Sequence, residues 1–155
     1  KAMRARSVPV IVYSGQSDVE WPATADHYTE DPDCLEAFLR AASGKKTLVV
    51  LDEAQILFGL ISAKSHPTIH NLTGNGRHAG FSVQIISNYP TKLPPFVRSN
   101  LHALNVFTLQ NEDQSKAIVS DRGISKKWAE VIRKLKPLHY LEIRPQKEPV
   151  IKRLR

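Results

Sequence analysis

The sequence predicts an α/β fold: a mainly parallel sheet flanked by helices, with an antiparallel hairpin near the C-terminus. Three observations carry that expectation. Residues 47–51 form an apolar run that ends in two adjacent carboxylates, Asp52 and Glu53. Such a run reads as a strand buried on both faces, the kind found in parallel sheets between helix layers. Helix-like and strand-like segments alternate through the first half of the chain, which implies parallel crossovers. Two strand-like segments near the end, 139–143 and 149–151, flank a short polar loop.

Taken in order, residues 1–6 look like the last turns of a helix, with basic residues at the end that faces the negative pole of the helix dipole. Residues 7–13 read as a buried strand with Pro9 tolerated near its start, and Ser14, Gly15, Gln16 and Ser17 supply turn chemistry. Residues 18–30 show no period and read as a surface loop with Trp21 partly tucked in. Asp31 then caps a helix with Pro32 at its first position. Its apolar face is Cys34, Leu35, Phe38, Leu39 and Ala42, and Gly44 stops it. After the acidic pair a helix is expected over 54–60. The polar region 62–80 carries Ile69 and Leu72, compatible with a short helix ending near Gly74 or Gly76.

Residues 81–87 predict a third strand, 96–100 a short helical turn and 103–109 a fourth strand. Asn111 caps a helix through Val119, with Glu112 and Asp113 in its first turn. Ser125 is expected to cap a helix over 126–135 with Trp128, Val131, Ile132 and Leu135 on its apolar face. Pro137 ends it.

At 155 residues the chain has room for one domain with a real core, so 1–155 is read as a single domain. The 41% hydrophobic and 24% charged residues suit a soluble globular protein, and no apolar stretch is long enough to span a membrane. Cys34 is alone, which excludes a disulfide framework and suits a reducing cytosol. The net charge of +7 is concentrated in the C-terminal third, a balance that favours polyanion partners, nucleic acid above all. The plainer reading is a solvated basic face.

Asp52 and Glu53 belong at the C-terminal edge of their strand, where ligands and catalytic groups gather in open α/β sheets. A carboxylate pair there either holds a magnesium ion and activates water, or is an ordinary acidic turn. The histidines offer no metal site: His66 and His70 are spaced for one, but Pro67 interrupts them and no partner glutamate or cysteine follows the pattern.

Three segments read together narrow the choice. Residues 47–53 are an apolar strand closing on Asp52-Glu53. Residues 77–90 run Arg77-His78-Ala79-Gly80, a strand, Asn88 and then Tyr89-Pro90. Leu93-Pro94-Pro95-Phe96-Val97-Arg98-Ser99-Asn100 follows. In this order and spacing the set resembles the FtsK–HerA branch of P-loop ATPases. Within it the set is most similar to the genome-packaging ATPases of membrane-containing, double-jelly-roll viruses, and next to the Zot-like assembly ATPases of filamentous phages.

The resemblance implies a RecA/FtsK-like P-loop NTPase core using ATP and Mg2+. Asp52 would orient the magnesium, usually through water, and Glu53 would polarise the attacking water. Asn88, where the family usually has Gln or another polar residue, would bridge the γ-phosphate and that water. Arg77 and Arg98 become candidates for an arginine finger acting across a subunit ring. Their plainer reading is a surface or interface ion pair. The implied partners are double-stranded DNA, other copies of the chain and a capsid vertex or portal component, in host cytoplasm or virion. Lys126, Lys127, Arg133, Lys134, Lys152 and Arg153 would meet DNA phosphates without reading sequence.

No G-x-x-x-x-G-K-[ST] occurs in the sequence, so the first strand and P-loop of the family are expected to precede residue 1. A chain without that backbone nest is expected to bind ATP poorly and not to hydrolyse it alone. Two other readings stand beside the packaging ATPase. One is a Zot-like assembly ATPase, and the other is a non-catalytic basic α/β module that binds nucleic acid or a partner protein.

Overall fold

A computed structural model describes residues 8–16 and 25–154. The expected helix end over 1–6 and Trp21 lie outside the described residues. The chain divides into two compact units, Lys1–Asn88 and Tyr89–Arg155.

The first unit is built on a four-stranded, wholly parallel sheet. β1 (Val10–Ser14), β2 (His27–Thr29), β3 (Thr47–Asp52) and β4 (Phe81–Ile85) lie in the order β2-β1-β3-β4. β1 and β3 pair in register from Val10 opposite Leu48 to Ser14 opposite Asp52. β3 and β4 pair from Thr47 opposite Phe81 to Leu51 opposite Ile85. The central run is buried as its composition dictates: Val49, Val50 and Leu51 face the core, as do Ile11, Val12 and Tyr13 of β1. At 25 cal/mol per Å2 of apolar surface, each such side chain contributes about 1.5–3 kcal/mol.

β2 corrects the loop expected over 18–30. A three-residue strand is too short to show a period, and it is fixed instead by contacts with residues distant in sequence. Asp26 N–H donates to the Val10 carbonyl (2.9 Å), Val10 N–H donates to Asp26 Oδ2 (2.7 Å), and His27 stacks on Phe38 at 4.7 Å.

Helix α1 (Pro32–Ala42) starts as its sequence indicates, with Asp31 accepting a bond from Asp33 N–H at 3.0 Å. Its buried face differs in one respect. Cys34 is exposed and Glu36 is buried. The Glu36 carboxylate accepts from Thr68 N–H (3.0 Å) and Ile69 N–H (2.9 Å), the first turn of α3 (Pro67–Asn75), and from Arg40 Nε (3.0 Å). Because His66 makes no side-chain cap on α3, a carboxylate from the neighbouring helix satisfies those orphan donors.

The turn from α3 into β4 runs tightly along the α1–β3 turn. Gly44 N–H donates to the Ala79 carbonyl and Thr47 N–H to that of Gly80. Gly80 has φ +88°, and a Cβ there would stand 2.6 Å from the Lys45 carbonyl oxygen, so only glycine fits.

The second unit holds α4 (Pro95–Asn100), β5 (Leu104–Val106), α5 (Glu112–Asp121), α6 (Lys127–Arg133), β6 (His139–Ile143) and β7 (Val150–Arg153). β5, β6 and β7 form a separate antiparallel sheet, so the expected hairpin is present and the fourth predicted strand pairs with it. That strand is three residues long, shorter than the expected 103–109. Val106, Ile118, Val119, Ile132, Leu141 and Ile143 form this unit's core, with Trp128 packed against it. Asn111 caps α5 by accepting from Gln114 N–H (3.1 Å). Ser125 does not cap α6: Lys126 occupies the cap position without a side-chain bond, and Ser125 contributes only its backbone carbonyl, to Trp128 N–H. No helix among the described residues is long and apolar enough to cross a membrane.

Candidate active site

The end of β3 sets the geometry. Parallel pairing brings the C-terminal ends of β1, β3 and β4 to one edge, which gathers Ser14, Asp52, Glu53 and the 86–88 segment. Two backbone bonds continue the β3–β4 alignment past the strands: Ile86 N–H donates to the Leu51 carbonyl (2.8 Å) and Ala54 N–H to that of Ile86 (3.0 Å).

Asp52 is half-buried, and its Oδ2 stands 3.4 Å from the Ser14 hydroxyl, whose one proton also has the Gln16 carbonyl within reach at 3.2 Å. Glu53 is buried and turns the chain from β3 into α2 (Ala54–Leu60) in a left-handed conformation, φ 48° and ψ 42°. A non-glycine residue there is strained, by about 1–3 kcal/mol, and such strain gathers at functional sites. Gly15 makes room for this turn. A Cβ on it would come within 3.2 Å of Ile56 and 3.3 Å of the Glu53 Cβ.

Among the described residues, three side-chain amides donate to the Glu53 carboxylate. Gln16 Nε2 (3.2 Å) and Asn88 Nδ2 (2.5 Å) reach Oε1, and Gln55 Nε2 reaches Oε2. Ser87 Oγ in turn donates to Gln55 Oε1 at 2.6 Å. The structure thus joins Asp52, Glu53 and Asn88 at one edge. Nothing in the sequence marks Gln16, Gln55 and Ser87 as site residues, although Gln55 stands two residues beyond Glu53. Tyr28, next to this edge on β2, has its hydroxyl pushed above the usual phenol range by desolvation, then by its bond to Glu30.

The arginines are placed otherwise. Arg77 is exposed and precedes β4, so it stands at the opposite edge of the sheet, about 15 Å of strand away from its own Glu53. Arg98, in the second unit, lies 3.0 Å from Asp121 in an ion pair and donates to the Thr91 carbonyl at 3.4 Å.

Among the basic residues of the second unit, Arg133 pairs with Glu112 (3.2 Å), Lys134 with Glu130 (2.5 Å) and Lys152 with Glu142 (2.8 Å). Lys126, Lys127 and Arg153 are exposed and have no ion-pair partner among the described residues. Lys127 lies over the Trp128 ring at 5.6 Å.

No family model matches the sequence, and no curated protein matches it. Solved structures do. The genome-packaging NTPase B204 of Sulfolobus turreted icosahedral virus 2, in complex with AMPPCP, matches with a TM-score of 0.74 and 20% identity, over 95% of this chain and 83% of that one. B204 of Sulfolobus turreted icosahedral virus, a DNA-packaging ATPase, matches with a TM-score of 0.74 and 17% identity, over 96% and 84%. The pCW3 conjugation coupling protein TcpA matches with a TM-score of 0.63 and 13% identity, over 94% of this chain and 51% of its own. Over most of its length, then, this chain has the α/β fold of the genome-packaging NTPases of the B204 kind, a P-loop NTPase-like fold it shares with the TcpA coupling protein.

Proposed function

We propose that the chain is the C-terminal part of a DNA-translocating, genome-packaging ATPase, with residues 1–155 serving as one domain of its core. The observation that carries this reading is the Asp52–Glu53 pair at the C-terminal edge of a parallel sheet, in a fold similar to that of B204. Glu53 acts as the base that polarises the attacking water. Asn88 holds the Glu53 carboxylate from the neighbouring strand end, a different contact from the phosphate bridge expected of it.

The donors present suit magnesium. Asp52 and the Ser14 hydroxyl are hard oxygen groups, and Mg2+ takes one or two carboxylates and fills its remaining positions with phosphates and water. When bound, the ion neutralises charge on the transferring phosphoryl group. Asp52 would hold it, with the Ser14 hydroxyl beside the carboxylate.

The position of Arg77, remote from its own Glu53, supports action on the nucleotide of a neighbouring subunit in a ring. Arg98 is engaged by Asp121, which supports a structural part for it first. Of the six cations expected to meet DNA phosphates, Lys126, Lys127 and Arg153 have no ion-pair partner to give up among the described residues, while Arg133, Lys134 and Lys152 would exchange their carboxylate partners for phosphate. A capsid vertex or portal component is the proposed docking partner of the ring.

The DNA part of this reading has a direct test. Affinity for duplex DNA should be independent of sequence and should fall steeply with salt. The Lys126→Ala/Lys127→Ala double variant should reduce the slope of log K against log salt by about 2. An unchanged slope would move the DNA contact elsewhere. No salt-dependent binding at all would favour a module that binds protein.

A further inference from the structure

We infer that Gln55, oriented by Ser87, is a positioning residue that leaves Glu53 one free acceptor site for water, on Oε2. The inference rests on the reading of Glu53 as the base. An ionised carboxylate is acceptor-only, with two lone-pair sites on each oxygen. Oε1 takes two donors, Gln16 and Asn88, and is full. Among the described residues, Oε2 takes only Gln55. A water that gives up a proton to Glu53 therefore approaches Oε2.

The Gln55 amide has one workable orientation. Its NH2 must face the carboxylate, because two oxygens placed together would repel. Its oxygen then faces Ser87, whose hydroxyl must donate. The backbone bonds joining Ala54 to Ile86 and Ile86 to Leu51 hold the two segments in the register that this contact needs. Gln16, from the end of β1, closes the other side. Glu53 is thus gripped from three strand ends, and Ser87 to Gln55 to Oε2 is the arm beside the open lone pair.

Two measurements test this in the full-length protein. In 15N-resolved spectra, Ser87→Ala should move the Gln55 side-chain NH2 signals and leave those of Gln16 in place. Ser87→Thr, which keeps the hydroxyl, should restore them. In turnover assays, Gln55→Leu should lower kcat by about 10–100-fold, the scale of a misplaced reacting group, with KM for ATP within about twofold. Gln55 signals indifferent to Ser87→Ala would overturn the relay, and an undiminished kcat in Gln55→Leu would overturn its positioning role. If the wild-type protein hydrolyses no ATP, the reading of Glu53 as a base fails and the positioning role with it. The spectra still decide whether Ser87 orients Gln55.

Discussion

Replacing Glu53 by Gln in the full-length protein is expected to reduce ATP hydrolysis by at least about a hundredfold, the usual contribution of a positioned general base. The substitution changes little in size but removes the proton acceptor. It also places an amide among three amides: Gln16 and Asn88 can keep donating to its oxygen, while Gln55 turns its own oxygen toward the new NH2. The fold should therefore survive, with thermal unfolding close to wild type, while phosphate release stops. Nucleotide binding should persist, because the carboxylate acts on water and not on the bound phosphates. Turnover within about threefold of wild type would assign the base elsewhere and leave Glu53 a structural turn residue.

The largest expected effect on stability is at Glu36. Glu36→Leu leaves two backbone N–H groups of α3 without their acceptor, and should destabilise the protein by about 2–4 kcal/mol, whereas the exposed Arg40 guanidinium turns to water. Urea unfolding at neutral pH measures it. The same carboxylate predicts an acid dependence. Burial pushes its pKa up, but the bonds from Thr68, Ile69 and Arg40 outweigh burial and hold it below the ordinary glutamate range. Because the folded-state pKa lies below the unfolded one, the contribution is complete above the unfolded value of about 4.3 and is lost as pH falls through the folded one. Glu36→Gln should be less stable than wild type at pH 7 and should lose less on acidification. An acid limb unchanged in the variant would assign that limb to other carboxylates.

The legible parts of this fold are those in which local chemistry and tertiary burial agree. The 47–51 run had to be a buried strand, and two charges at its end had to stand at the sheet's edge. Asp31-Pro32 and Asn111 announce helix starts that the structure keeps. What stayed hidden depends on contacts distant in sequence. β2 is three residues held by Asp26 and His27. Glu36 lies on an amphipathic helix where a charge normally faces water, and its burial follows from a need of another helix. One trace of that need is visible in the chain, because Pro67 opens α3 after His66, a poor cap, so an acceptor must come from elsewhere. The amide grip on Glu53 left no pattern either, since Gln16, Gln55 and Asn88 converge only once the strands are in register. Ser125 illustrates the opposite case, a plausible cap residue whose side chain the turn leaves unused.

The left-handed backbone at Glu53 sets two kinds of selection against each other. Glycine or asparagine would occupy φ 48° with less strain, so a library at this position screened only for resistance to heat should drift toward them and away from glutamate. The same library screened for phosphate release should return glutamate alone. A position where those two screens disagree marks where the chain gives up stability for chemistry, and residue 53 should be the place in the first unit where the disagreement is sharpest.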